Sequence, residues 1–136
     1  MTNLAPYLNF PGTCEEAMTH YAKVLKGTIG AMMRFEGSPM EKHVPPERIK
    51  KIMHARVDWN GQMLMASDAG PDGFKPMQGM MVTVNMTDVP EAERIYAELS
   101  EAGNVQMALQ ETFWAQRFGM FTDRFGTPWM INCGPK

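Results

Sequence analysis

The chain has 136 residues, 44% of them hydrophobic, and a formal net charge of −2, so it can build a core but lacks the basic face that nucleic acid requires. Its longest apolar runs, such as Met63-Leu64-Met65-Ala66, fall far short of the roughly 18 to 20 residues of a membrane span, and Cys14 and Cys133 are too few and too isolated for a disulfide framework or a zinc knuckle. The amino terminus has neither a basic start nor a long apolar stretch, so a cytoplasmic location is expected, and the 15 methionines suit irregular packing or an adaptable apolar pocket.

Leu4 to Phe10 reads as a strand stopped by the turn Pro11-Gly12-Thr13. A helix follows, with Thr13 as its cap, Glu15 and Glu16 at its positive end, and Ala17, Met18, Tyr21, Val24 and Leu25 at helical spacing before Gly27 ends it. Thr28 to Phe35 reads as a second strand, and Glu36 to Pro46, rich in Gly, Ser, Pro and charge, as a mobile loop or flap. Ile52 to Trp59 alternates, with Ile52, His54, Arg56 and Asp58 on one face and Met53, Ala55, Val57 and Trp59 on the other. Asn60-Gly61 is a strong hairpin signal that leads into a returning strand, Met63 to Ser67. Asp68 to Gln78 reads as a linker.

Gly79 to Met86 opens the second half as a strand, followed by a helix capped by Asp88, with Pro90 in its first turn and Ala92, Ile95, Tyr96 and Leu99 as its apolar stripe. Gly103-Asn104 closes that helix. Val105 to Leu109, Phe113 to Thr122 and Pro128 to Asn132 supply three further strands.

One phrase occurs twice, Glu16-Ala17-x-x-x-Tyr21-Ala22 and Glu91-Ala92-x-x-x-Tyr96-Ala97, and its surroundings repeat with it. Leu8-Asn9-Phe10 precedes the first copy and Val84-Asn85-Met86 the second, and a glycine, Gly27 or Gly103, follows each. The repeat implies one unit used twice. The expected fold is α+β, a single domain of two βαβββ modules, about 1–70 and about 79–136, forming curved mixed sheets around a shared cleft.

Pro6-Tyr7-Leu8-Asn9-Phe10, Cys14-Glu15-Glu16-Ala17, Met53-His54-Ala55, Leu64-Met65-Ala66-Ser67-Asp68 and the terminal Phe113-Trp114…Arg117-Phe118-Gly119…Thr122-Asp123-Arg124-Phe125-Gly126…Trp129 together resemble the PhnB-like branch of the vicinal oxygen chelate superfamily. That superfamily includes glyoxalase I, bleomycin resistance proteins and extradiol dioxygenases, and the resemblance implies paired βαβββ modules. In its metal-dependent members, strand His, Glu or Gln side chains hold a divalent ion that binds vicinal substrate oxygens. The matching places here fall near Ala5, Met65 or Ser67, Met81 and Met130. Thioether is a soft, weak donor for the metals such sites use, so no metal and no other cofactor is expected, a divalent metal being the alternative. Some relatives carry a demethylubiquinone-methyltransferase-like label, but the chain has no glycine-rich nucleotide loop of the kind methyl donors usually occupy.

The candidate ligand-binding residues are Asn9, His54, Met65, Ser67, Asp68, Trp114 and Arg117, with His54 and Asp68 as candidate acid/base groups. Each has a plainer reading: a structural histidine, a strand-end cap at Ser67-Asp68, and a core or interface role for Trp114. Trp59 and Trp129 read as core, and Cys133 as a weak candidate nucleophile with no histidine beside it in sequence. The expected function is binding of a small organic molecule in an apolar cleft by a homodimer that engages neither nucleic acid nor membrane. The alternatives are a metal-dependent or metal-free lyase, isomerase or dioxygenase, and a structural dimer whose cleft is filled by its own side chains.

Overall fold

Three turns of apolar residues at helical spacing give α1, Cys14–Leu25, which buries Ala17, Met18, Tyr21, Val24 and Leu25. In the computed structural model, which describes residues 2–70 and 72–136, α1 packs on a four-stranded sheet. The strands are β1 (Tyr7–Phe10), β2 (Thr28–Arg34), β3 (Ile52–Trp59) and β4 (Gln62–Asp68), in the order β1-β4-β3-β2, with β1 and β4 parallel and the other pairs antiparallel. These elements lie in one compact unit, which ends at Pro76; a second begins at Met77. It repeats the plan with β5 (Val82–Met86), α2 (Val89–Ser100), β6 (Asn104–Gln110), β7 (Arg117–Thr122) and β8 (Pro128–Cys133), ordered β5-β8-β7-β6. The fold is thus α+β, with two open mixed sheets and a helix on each.

The repeated phrase is explained by packing. Ala17 and Ala92 are completely buried, small enough to let each helix approach its sheet. Tyr21 lies 6.5 Å from the Phe10 ring, and Tyr96 meets Phe121 edge-on at 5.6 Å. The glycine after each copy has a different role from the helix stop expected of it. The residues in left-handed conformation are Lys26 and Ala102, both at φ 60, and Gly27 and Gly103 have no positive φ. A Cβ on Gly27 would lie 2.6 Å from the Asp58 carbonyl oxygen, and one on Gly103 would lie 2.4 Å from that of Thr122. Each glycine lets the chain leaving the helix pass against the end of a strand, β3 or β7.

Several boundaries and faces differ from expectation. β1 starts at Tyr7 and β5 at Val82, later than the apolar runs suggest. Phe113 to Gln116 stands outside β7; there Thr112 N–H donates to the Ala115 carbonyl and Ala115 N–H to Thr112 Oγ1, a tight turn in place of extended chain. Ile52 is buried, whereas its alternation partner His54 faces the other way. A bulge at Met53, where Met33 and Arg34 pair with His54 and Ile52, resets the alternation of β3. Trp129 is fully buried, as expected, but Trp59 at the hairpin end is only half-buried. The Asn60-Gly61 hairpin forms as read, with φ 49 and 74. The flap region folds into two short 3-10 turns, Glu41–His43 and Pro46–Arg48.

Candidate functional site

Because α1 covers one face of the first sheet, strand alternation leaves the other face open. Leu8, Phe10, Ala55, Val57, Leu64 and Ala66 point under the helix, which puts Tyr7, Asn9, His54, Arg56, Met65 and Ser67 on the open side. Register arranges these in two rows. Asn9 pairs with Ser67, and His54 with Met33; Tyr7 pairs with Met65, which pairs with Arg56. Between the rows, the Tyr7 hydroxyl lies 3.1 Å from His54 Nδ1, with the two rings stacked at 5.7 Å and 28°. Arg56 is tied to Asp58 at 2.8 Å, so the accessible polar groups there are the phenol, the imidazole, an amide and a hydroxyl.

Asp68, expected beside them, lies on the covered face. It is buried, its Oδ1 accepts the Cys14 N–H and its Oδ2 the Ile52 N–H, both at 2.9 Å. That carboxylate, arriving from β4, satisfies the first turn of α1. Thr13, the expected cap, makes no capping bond, and its buried Oγ1 has no hydrogen-bond partner among the described residues. Cys14 beside it is held protonated: burial first, then the Asp68 and Glu15 carboxylates, pushes its thiol up to about 12. Burial, and after it the Asp88 carboxylate, also raises Cys133, so this thiol is a poor nucleophile at neutral pH.

In the second unit the open face carries Thr83, Asn85, Met130, Asn132, Phe118 and Met120. Superposing the registers makes Asn85 the counterpart of Asn9, Asn132 of Ser67 and Phe118 of His54. The second copy is therefore aromatic where the first has its imidazole. Trp114, 45% exposed, sits edge-on to Phe113 at 4.8 Å and to Phe118 at 5.1 Å. Arg117 was expected to work with Trp114. Its guanidinium donates instead to Glu93 of α2, at 3.3 Å, and to the Gln116 carbonyl, at 2.7 Å. Asp123, from the motif shared with the resembled family, is structural: it accepts the Phe125 and Thr127 N–H groups and the indole N–H of Trp129, and so closes the β7–β8 turn.

The structure thus groups Asn9, His54, Met65 and Ser67 on one surface, puts Trp114 in the other unit, and places Asp68 and Arg117 in supporting roles. Tyr7, Met33, Asn85 and Asn132 were not singled out from sequence. A signal for two of them existed: Tyr7 is two residues from Asn9 on one strand, and Asn85 occupies the place of Asn9 in the repeated context. As for a divalent ion, among the described residues no three His, Cys, Asp or Glu side chains gather as a metal-binding group. The open face of the first sheet offers thioethers, an amide, a hydroxyl and the Tyr7 phenol around His54, a donor set that does not fit the Zn, Ni, Mn or Fe(II) of such sites. Among the described residues no helix is long and apolar enough to cross a membrane.

Solved structures of the glyoxalase and bleomycin resistance type share this architecture. A glyoxylase/bleomycin resistance protein/dioxygenase domain from Frankia sp. EAN1pec shares the fold at TM-score 0.63 and 10% identity, covering 98% of this chain and 96% of that one. Residues 2–132 match the family model described as 3-demethylubiquinone-9 3-methyltransferase, and the chain belongs to that PhnB-like family. It is 36% identical to Protein YjdN of Escherichia coli K12 over 95% of this chain and 93% of that protein. It also resembles protein PA1353 from Pseudomonas aeruginosa, at 44% identity and TM-score 0.91 over all of both chains. A putative 3-demethylubiquinone-9 3-methyltransferase, PhnB protein, from Bacillus cereus superposes at TM-score 0.83 with 23% identity, covering 98% of this chain and all of that one.

Proposed function

We propose that the chain binds a small, weakly polar organic molecule on the open face of its first sheet and needs no metal to do so. The observation that carries this reading is the Tyr7–His54 pair beside Asn9 and Ser67, bordered by Met33 and Met65. Ring faces and thioethers supply adaptable apolar contact, and the four polar groups supply orientation, the composition expected of a small-molecule site. The family description names a demethylubiquinone, and an oxygen-bearing ring suits this surface: its oxygens meet the imidazole, the Asn9 amide and the Ser67 hydroxyl. With the available donors ill-suited to a metal, the role is binding and sequestration of the ligand, which leaves unchanged.

The test uses protein purified without chelator. Elemental analysis is expected to find far less than one divalent ion per chain, and EDTA to leave the melting temperature unchanged. Calorimetric titration with ubiquinone-0 is expected to show saturable binding that weakens about tenfold or more in His54→Ala and Tyr7→Ala, because each removes a polar anchor and a ring contact. S-adenosylmethionine is expected to give no heat. A stoichiometric ion, or quinone binding indifferent to both substitutions, would overturn the proposal.

A further inference from the structure

The second unit contains a pocket that none of the preceding argument uses. It has a volume of about 520 Å³ and lies where β5 and β8 end, bounded by Asn85, Thr87, Trp114, Asn132 and Pro135. Its wall is fixed in place. Ala115, next to Trp114, is completely buried, Lys136 N–H donates to the Trp114 carbonyl, and Gly134 N–H donates to that of Met86. The Trp114 ring is further braced by Phe113 and Phe118. No lining residue is charged.

Two amides lie in register on adjacent parallel strands in this pocket. Asn132 Nδ2 donates to Asn85 Oδ1 at 3.1 Å. Whichever way each amide is turned, two amides joined by one hydrogen bond keep one carbonyl oxygen and further N–H donors to offer. An adjacent acceptor and donor beside an indole face are complementary to a flat ring whose edge carries an N–H next to a C=O. The absence of charge among the lining residues disfavours an ionised ligand, which would be partly desolvated without a counter-charge.

We propose that the second unit holds a binding site for a neutral planar heterocycle with a lactam or imide edge, stacked on Trp114 and read by the Asn85–Asn132 amide pair. The volume suits one or two fused rings with room for a substituent. This site rests on the second unit alone and stands or falls independently of the Tyr7–His54 surface.

The experiment compares 2-quinolone, which has the N–H and C=O edge, with 2-methoxyquinoline, which keeps the ring system and lacks the N–H. Both are titrated into the isotopically labelled full chain and followed by NMR. 2-Quinolone is expected to shift the Trp114 indole and the Asn85 and Asn132 side-chain amide signals saturably, and to bind about fivefold or more tightly than 2-methoxyquinoline, the usual size of one hydrogen bond. Trp114→Ala is expected to abolish binding of both, Asn132→Leu to remove the preference between them, and Tyr7→Ala to change neither. Equal affinity for the two compounds, no saturable shift, or binding retained in Trp114→Ala would overturn the proposal; the wild-type comparison decides even if a variant fails to fold.

Discussion

A buried carboxylate that accepts two backbone N–H groups is hard to replace, because each donor it releases has nowhere else to go. Asp68 holds the first turn of α1 to the start of β3 in this way. Asp68→Ala is expected to lower stability in urea unfolding by about 2–4 kcal/mol, given roughly 1–3 kcal/mol for each buried group left unpaired, and Asp68→Asn, which keeps one acceptor, by less. Thr13→Ala is expected to change stability by less than ~0.5 kcal/mol, where loss of a working cap would cost about 1 kcal/mol. An Asp68→Ala variant as stable as the wild type would show that the clamp carries no weight. From sequence Asp68 stands just after a strand ending at Ser67, as a ligand or acid/base candidate or as a strand-end cap; in the structure it is the last residue of β4 and caps the first turn of α1 from the covered face. A strand-end acid before a turn looks the same whether it points at solvent or at the helix that crosses behind it.

At the scale of the element, the two connections out of the helices carry the sharpest expectation. Gly27 and Gly103 each face a backbone carbonyl too close for a Cβ, and backbone cannot swing aside as a side-chain tip can. Gly27→Ala and Gly103→Ala are therefore expected to destabilise by about 1–3 kcal/mol each, the range for overpacking. One residue earlier the sign reverses. Lys26→Gly and Ala102→Gly relieve left-handed backbone strain and are expected to stabilise by up to about 1 kcal/mol, read as a rise in melting temperature. Gain from the first pair would show that the carbonyls leave room for a Cβ, and loss from the second that the left-handed residues carry no strain. Strand and helix order were legible in the sequence, since 2-fold and 3.6-fold periodicities are local signals. The bulge at Met53 and the turn that replaces the first residues of β7 were not, because both depend on how a neighbouring strand pairs and leave no periodic mark.

For the molecule as a whole, stability rests on two apolar cores and owes little to charge. Among the described residues the ion pairs of Arg34, Arg56, Arg94, Arg117 and Lys136 with Glu or Asp keep roughly a third or more of each side chain exposed, and burial of Trp129, Tyr21, Phe10 and Phe121 is complete. Raising NaCl from 0.05 to 0.5 M is expected to alter unfolding free energy by less than about 1 kcal/mol; a larger fall would reveal an electrostatic contribution that these exposed pairs do not account for. The repeat read from sequence matches two units of the same topology, because the helix phrase records packing that each sheet demands. Much of the site was less legible: His54, Asn9, Met65 and Ser67 emerged from the strand readings and the family resemblance, but which of them share a row depends on register. Gly27 and Gly103 add something to the history of such a chain. A position closed to every side chain admits no gradual drift, so as two copies of a unit diverge in surface and ligand, these two points are where their common origin stays readable longest.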